Sequence, residues 1–255
     1  MTRISLVIAV VGLAVLVAGG AFAQGDRGGE SHRMGAADER SSGDFTPTPV
    51  EEGRPDLPEA GEAEIVLTVD GGAHALGAAD APVAIVEFSE YQCPYCAQHV
   101  IFTLPLLIAN YVDTGKVRYV MRDFPLNRTH GAAFEAAMAA RCAGDQGRFM
   151  DMHFELFAER RRLSRKDWAG HATAAGLEPV DFAACMSGLR HEDAVRQNIV
   201  EGLTFGVRGT PTFLVGLIEA DGNTITPIFR LAGGQSYEDF AELIDAMIEG
   251  AADGG

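Results

Sequence analysis

Positive charge is scarce in this chain: 20 Lys and Arg stand against 36 Asp and Glu, a formal net charge of −16. Such a surface repels a phosphate backbone and excludes nucleic acid as a partner. Long apolar runs are missing beyond the first 23 residues, where no segment has the ~18 uninterrupted apolar residues that span a bilayer. No internal repeat is present, which excludes a solenoid. Cysteine is limited to four residues, Cys93, Cys96, Cys142 and Cys185. Only the first two are close in sequence, so a structural zinc site built from two close pairs has no second half.

What is present begins with a leader pattern. Arg3 precedes an apolar run, Ile4 to Val17, broken only by Ser5 and Gly12, and Ala21-Phe22-Ala23 forms an A-x-A cleavage signal. Residues 1–23 are therefore expected to be a cleaved signal peptide, with an uncleaved anchor as the alternative. No cysteine lies at the cleavage point, which disfavours a lipoprotein. Residues 24–62 carry ten acids and four arginines among Gly, Ser and Pro. They bury too little apolar surface to offset their ordering entropy, so a disordered acidic linker is expected. All four cysteines follow the leader, and an even count in an oxidising compartment permits two disulfides.

Residues 63–255 suffice for one domain. An edge strand is expected within Glu64 to Val69, and Asp80-Ala81-Pro82 turns into a buried strand, Val83 to Phe88. A helix should then run from the Cys93–Cys96 pair to about Thr114, kinked at Pro105. Val117 to Met121 is the next strand. A strand–helix–strand unit of this length requires the two strands to be parallel. From about 130 to 206 the pattern is helical, with Phe149, Met152, His153, Leu156 and Phe157 on one face and Ser164 placed to cap a helix containing Trp168. His130, His153 and Trp168 are expected to be packing or surface residues. Thr212 to Ile218 and Thr226 to Leu231 flank Ala220-Asp221-Gly222-Asn223, a hairpin turn. Ser236 opens a last amphipathic helix ending at Gly250. The order βαβ, helices, ββα defines an α/β thioredoxin fold with an inserted α-helical domain.

Cys93-Pro94-Tyr95-Cys96 places two thiols three positions apart at a helix start. They can close a disulfide, and the helix dipole favours the first as a thiolate. A zinc half-site, with His99 joining Cys96, and an inert disulfide are the alternatives. Glu87 lies six positions before Cys93 and shares a strand face with Ile85, which points inward; a strand-edge Glu facing solvent is the alternative.

Four segments carry a family resemblance. They are Phe88-Ser89-Glu90-Tyr91-Gln92-Cys93-Pro94-Tyr95-Cys96, Arg122-Asp123-Phe124-Pro125-Leu126, Cys142-Ala143-Gly144-Asp145-Gln146-Gly147-Arg148-Phe149 and Gly209-Thr210-Pro211-Thr212-Phe213. In this order the chain resembles the DsbA-type thiol–disulfide oxidoreductases of the thioredoxin superfamily over roughly residues 65 to 250. The resemblance implies that Cys93 is the attacked sulfur, that Cys96 resolves, and that Glu87 moves the proton of the buried thiol. Pro94 and Tyr95 then tune the reduced state. Where the most oxidising members have His, Tyr95 adds no positive charge, so a milder oxidant is expected. Thr210-Pro211 matches the cis-proline loop that pairs with a substrate strand, an ordinary trans proline being the alternative. Some members bond a cysteine pair in the insertion. Cys142–Cys185 is accordingly expected to be a structural disulfide, with a redox relay or free thiols as alternatives. The implied partners are reduced or unfolded exported proteins and a membrane quinone-linked, DsbB-like reoxidase, on the far side of the inner membrane. No cofactor and no metal is implied. A disulfide isomerase or reductase, and a metal-handling module using the same thiols, remain the rival functions.

Overall fold

The computed structural model describes Thr48–Pro49 and residues 66–253. The expected signal peptide and all but Thr48–Pro49 of the expected linker lie outside the described residues.

Two strands form the centre. β4 (Val83–Ser89) and β5 (Val117–Asp123) pair in parallel, as the crossover demands, with Val83 opposite Val117 and Ser89 opposite Asp123. Every residue of β4 is buried, because both sheet faces are covered. Strand alternation divides them. Val83 and Ile85 pack with Val117, Tyr119 and Met121 in the larger core, whereas Ala84, Val86 and Phe88 pack with Val120 and Phe124 in a second core on the opposite face. β6 (Thr212–Leu217) lies antiparallel on the other side of β4. The full sheet is completed by β1 (Thr48–Pro49), β3 (Ala75–Leu76) and β8 (Phe229–Ala232), in the order β1-β8-β6-β4-β5-β3. β1 falls within the stretch expected to be linker; it pairs with the otherwise open edge of β8.

Two strand expectations need correction. The N-terminal edge strand is β2 (Leu67–Thr68), and it joins β7 (Thr224–Ile225) in a separate two-stranded sheet. The hairpin turn at 220–223 forms, with Gly222 N–H donating to the Glu219 carbonyl at 2.8 Å. Its return strand is split: β7 pairs with β2 and bridges Ile225 to Ile218 just beyond β6, and the ladder with β6 itself is made by β8. Pro227, which has no N–H for a ladder, falls in the gap.

The active-pair helix runs Pro94–Val112. It consists of α1 (Pro94–Gln98), a π-helical turn at His99–Thr103, α2 (Leu104–Leu107) and a second π-helical turn at Ile108–Val112. The first π-helical turn precedes Pro105, whose ring and missing N–H disturb the regular ladder there. This helix is long and apolar enough to cross a membrane, but half of it is buried in the fold.

The insertion comprises α3 (Ala133–Gly144), α4 (Phe149–Ala158), α5 (Trp168–Ala174), α6 (Pro179–Ser187) and α7 (Glu192–Thr204). Small side chains at Ala133, Ala136, Ala137, Ala139, Ala140 and Ala143 bury most of the α3 surface and let neighbours approach closely. Gly202 does the same for α7: a Cβ there would lie 2.8 Å from the Phe124 ring and 2.9 Å from Phe88. Ser164 does not cap α5 through a backbone N–H; its hydroxyl donates to the Asp167 carboxylate at 2.5 Å, within the turn that precedes the helix. Trp168 is buried and donates its indole N–H to Glu135. α8 (Tyr237–Asp253) passes beyond Gly250 and opens on a reciprocal cap, in which Ser236 and Asp239 bond each other's backbone N–H.

Candidate active site

Cys93 is the N-cap of α1 and is buried, while Tyr95 beside it is 60 % exposed. Pro94 fills the first helical position, where no N–H partner is lost. The Cys96 backbone N–H points at Cys93 Sγ from 3.4 Å, and Cys93 Sγ donates to the Thr210 carbonyl at 3.3 Å. Thr210-Pro211 is cis and brings that carbonyl to the sulfur. Both thiols are free. A hydrogen bond from the Cys96 side chain is the main cause that lowers the Cys93 thiol to about 5; burial opposes it, and the Cys96 and Tyr95 backbones add to it. Direct donors at the helix start thus favour the thiolate. Burial pushes Cys96 the other way, well above the ordinary thiol range.

Glu87 is fully buried on the inner face of β4. Burial raises its carboxyl to about 7, against the hydrogen bond from Tyr119 that favours the anion. Tyr119 Oη donates to Glu87 Oε2 at 2.7 Å, and Oε1 has no partner. The acid therefore loses its proton later in the folded chain than in the unfolded one, so the folded state holds the extra proton between about 4.5 and 7 and stability falls as pH rises through that window. Glu87→Gln is expected to stabilise the protein little at pH 4 and by on the order of 2 kcal/mol at pH 8. Urea melts at both pH values check this; an equal change at both would contradict a buried, titrating Glu87.

The loop before Cys93 is anchored by polar contacts that the sequence did not indicate. Glu90 is buried and pairs with His130, and it accepts from the Gln92 N–H at 2.8 Å. Gln92 Oε1 in turn accepts from the Ala132 N–H at 2.7 Å, tying the loop to the start of α3. Tyr91 Oη lies 3.2 Å from His153 Nδ1, so His153 is a buried polar partner as well as packing. The Arg122-Asp123 segment is a structural clamp. Arg122 pairs with Glu201 of α7 at 2.9 Å, and Asp123 accepts from Arg141 of α3 at 2.5 Å. The signal for these partners was acid and base at buried strand ends; their pairing across 18 to 79 residues is a property of the fold.

Cys142 and Cys185 are bonded, joining α3 to α6 within the insertion. Among the described residues, the one set of three potential metal donors within 4.8 Å is Cys142, Cys185 and His191, and two of these are joined in that disulfide. His99 makes its contact with Tyr119.

Comparison with known proteins agrees with this architecture. The family described as Thioredoxin matches residues 69–246. The Na(+)/H(+) antiporter NhaA 1 of Salinispora arenicola is 34 % identical over 171 residues, covering 62 % of this chain and 26 % of the antiporter. The chain spans about a quarter of the length of such curated relatives. A Rickettsia bellii protein provisionally named a protein-disulfide oxidoreductase is 25 % identical over 181 residues, 67 % of each chain. The crystal structure of Wolbachia pipientis alpha-DsbA1 has a TM-score of 0.59 at 21 % identity, covering 70 % of this chain and 92 % of that one. For Bacillus subtilis BdbD the TM-score is 0.57 at 21 % identity, covering 70 % and 94 %. With the match running from just after β2 into α8, and with the insertion and sheet shared with the DsbA structures, the chain belongs to the thioredoxin family.

Proposed function

We propose that the protein is an exported thiol–disulfide oxidoreductase that donates the Cys93–Cys96 disulfide to reduced client proteins. The observation that carries this reading is the asymmetry of the pair: one thiol at a helix start beside the cis-proline loop, lowered to about 5, its partner buried and raised well above the ordinary thiol range. A client thiolate attacks Cys93 Sγ, the Cys93–Cys96 bond breaks, and Cys96 leaves with the electron pair and takes up a proton. A second client thiolate attacks the client sulfur of the mixed disulfide. Cys93 departs as its stable thiolate, the client gains the disulfide, and the enzyme is left reduced by two electrons.

In this reading Glu87 exchanges the Cys96 proton near neutral pH, which its raised carboxyl and the effect of its charge on the Cys96 thiol support. The Thr210 backbone offers a client strand its main-chain bonds. Exposed Tyr95 and Phe102 border an open groove of about 440 Å³ that suits apolar client side chains. Reoxidation falls to a membrane quinone-linked partner resembling DsbB. Antiport forms no part of the reading.

A Cys93 titration point of about 5 lies between the ~3.5 of DsbA and the ~7 of thioredoxin. The reduction potential is therefore expected between about −270 and about −120 mV. Alkylation trapping of the protein in its own compartment should find Cys93–Cys96 oxidised. A reduced pair there would make the protein an isomerase or reductase, and a stoichiometric metal lost on Cys96→Ser would make it a metal-handling module.

A further inference from the structure

His99 is a buried histidine for which the exchange reaction has so far no use. It is 1 % exposed and lies on the first turn after α1, where the helix changes to π-helical geometry. Such turns recur at functional sites because they re-aim a side chain. Here the ring stacks on Tyr119 and packs on Phe213 and Phe240. Its Nε2 lies 2.8 Å from Tyr119 Oη, which itself donates to Glu87 Oε2 at 2.7 Å. The Tyr119 proton being given to Glu87, His99 must donate from Nε2, which leaves Nδ1 as an acceptor. That Nδ1 is buried and has no partner. His99 also lines the groove beside Tyr95 and Phe102.

We infer that Tyr119 and His99 form a proton relay that connects buried Glu87 to the groove beside Tyr95. The inference rests on the oxidoreductase reading and supplies what that reading lacks, a route for the proton. Glu87 can exchange a proton with Cys96, but it is sealed from water and must itself be recharged. For uptake, a water entering from the groove gives a proton to His99 Nδ1 and leaves as hydroxide, the Nε2 proton passes to Tyr119 Oη, and the Tyr119 proton passes to Glu87 Oε2. The ring ends in its other neutral tautomer and no net charge stays on it. For release, the same three transfers run backwards. Burial, and after it His153 from α4, holds the ring at about 3, which suits a neutral relay and excludes a stored imidazolium. The titratable groups that face it are Tyr119 from β5, Glu87 one bond further on β4, His153 from α4 and Cys96 on its own helix.

The test uses the full chain, reduced and mixed with glutathione disulfide. Glutathione first attaches to Cys93; Cys96 then loses its proton, attacks Cys93 and expels glutathione. Acid quenching and mass measurement follow decay of the mixed disulfide. Tyr119→Phe and His99→Gln are each expected to slow that decay roughly tenfold to a hundredfold near neutral pH and to abolish its solvent deuterium isotope effect. His99→Gln still donates to Tyr119 but cannot pass a proton through. Alkylation of the Cys93 thiolate, which needs no proton from Cys96, should keep its rate in both. In the unaltered protein, the decay rate in mixed light and heavy water should depend non-linearly on deuterium content, as several protons move. A His99→Gln variant with unchanged decay and isotope effect overturns the relay; so does slowed Cys93 alkylation in step with slowed decay, or a linear dependence in the unaltered protein. Failure of the unaltered protein to form or resolve the mixed disulfide would instead overturn the oxidoreductase reading.

Discussion

Cys96→Ser should arrest the reaction halfway, leaving clients or glutathione bonded to Cys93. In the native pair, Cys96 lies one helical turn from Cys93, its N–H 3.4 Å from the attacked sulfur. A group held so close attacks with a very high effective concentration, and its removal should extend the life of the mixed disulfide on the order of a thousandfold. Cys93→Ser is expected to reduce exchange to the uncatalysed level, because Cys96 is buried and its thiol is raised well above the ordinary range. Trapping with oxidised glutathione and mapping the adduct decides the matter. An adduct on Cys96 in the Cys93→Ser protein, or a short-lived adduct in Cys96→Ser, would reverse the assigned roles. The pH dependence has a definite sign. The reduced protein gains stability from the Cys93 thiolate at alkaline pH, and this gain is lost as pH falls through about 5.

Removing the Cys142–Cys185 bond should produce the largest change in stability. The bond closes a loop of 43 residues and joins α3 to α6. Without it the unfolded chain regains that freedom, a loss of about 4 kcal/mol in the chain-entropy account. The midpoint of thermal unfolding should fall by roughly 10 °C. The paired substitution Cys142→Ala with Cys185→Ala is the correct probe, since a single change leaves a reactive thiol. Alkylation of Cys93 should be unaffected, because its hydrogen-bond donor comes from α1 and its acceptor from the Thr210 loop, neither of which belongs to the insertion. A paired variant as stable as the parent, or one with altered Cys93 reactivity, would show that the bond is a redox relay instead.

The parts of this molecule that could be read from the residues are those whose chemistry is local. Val83 to Phe88 is apolar at every position but Glu87, and only a strand covered on both faces has such a pattern. The Cys-Pro-Tyr-Cys spacing puts two thiols within bonding reach at a helix start without any long-range information. Glu87 stood out because a carboxylate interrupts that strand. What could not be read depends on register between distant strands. Tyr119 pairs with Ile85 across the parallel ladder, which places its hydroxyl at Glu87, and no periodicity within either strand reveals this. The two-residue strands β2 and β7 are too short to carry alternation, and β7 lies just before the stretch expected to return along β6. His99 follows buried Cys96 by one helical turn, so its inward direction is legible, but its bond to the Tyr119 hydroxyl depends on where β5 lies. The Arg122-Asp123 segment was recognisable as a family feature, yet its work as a clamp depends on α3 and α7 arriving beside it.

Trp168 is the one tryptophan of the chain, and it is anchored to Glu135 inside the helical insertion, among α3, α5 and α6. Its emission will therefore report the melting of that subregion and the loss of its sulfur cross-link. It will stay nearly silent when the catalytic thiols change state, so turnover is better followed by mass or by thiolate absorbance than by intrinsic fluorescence.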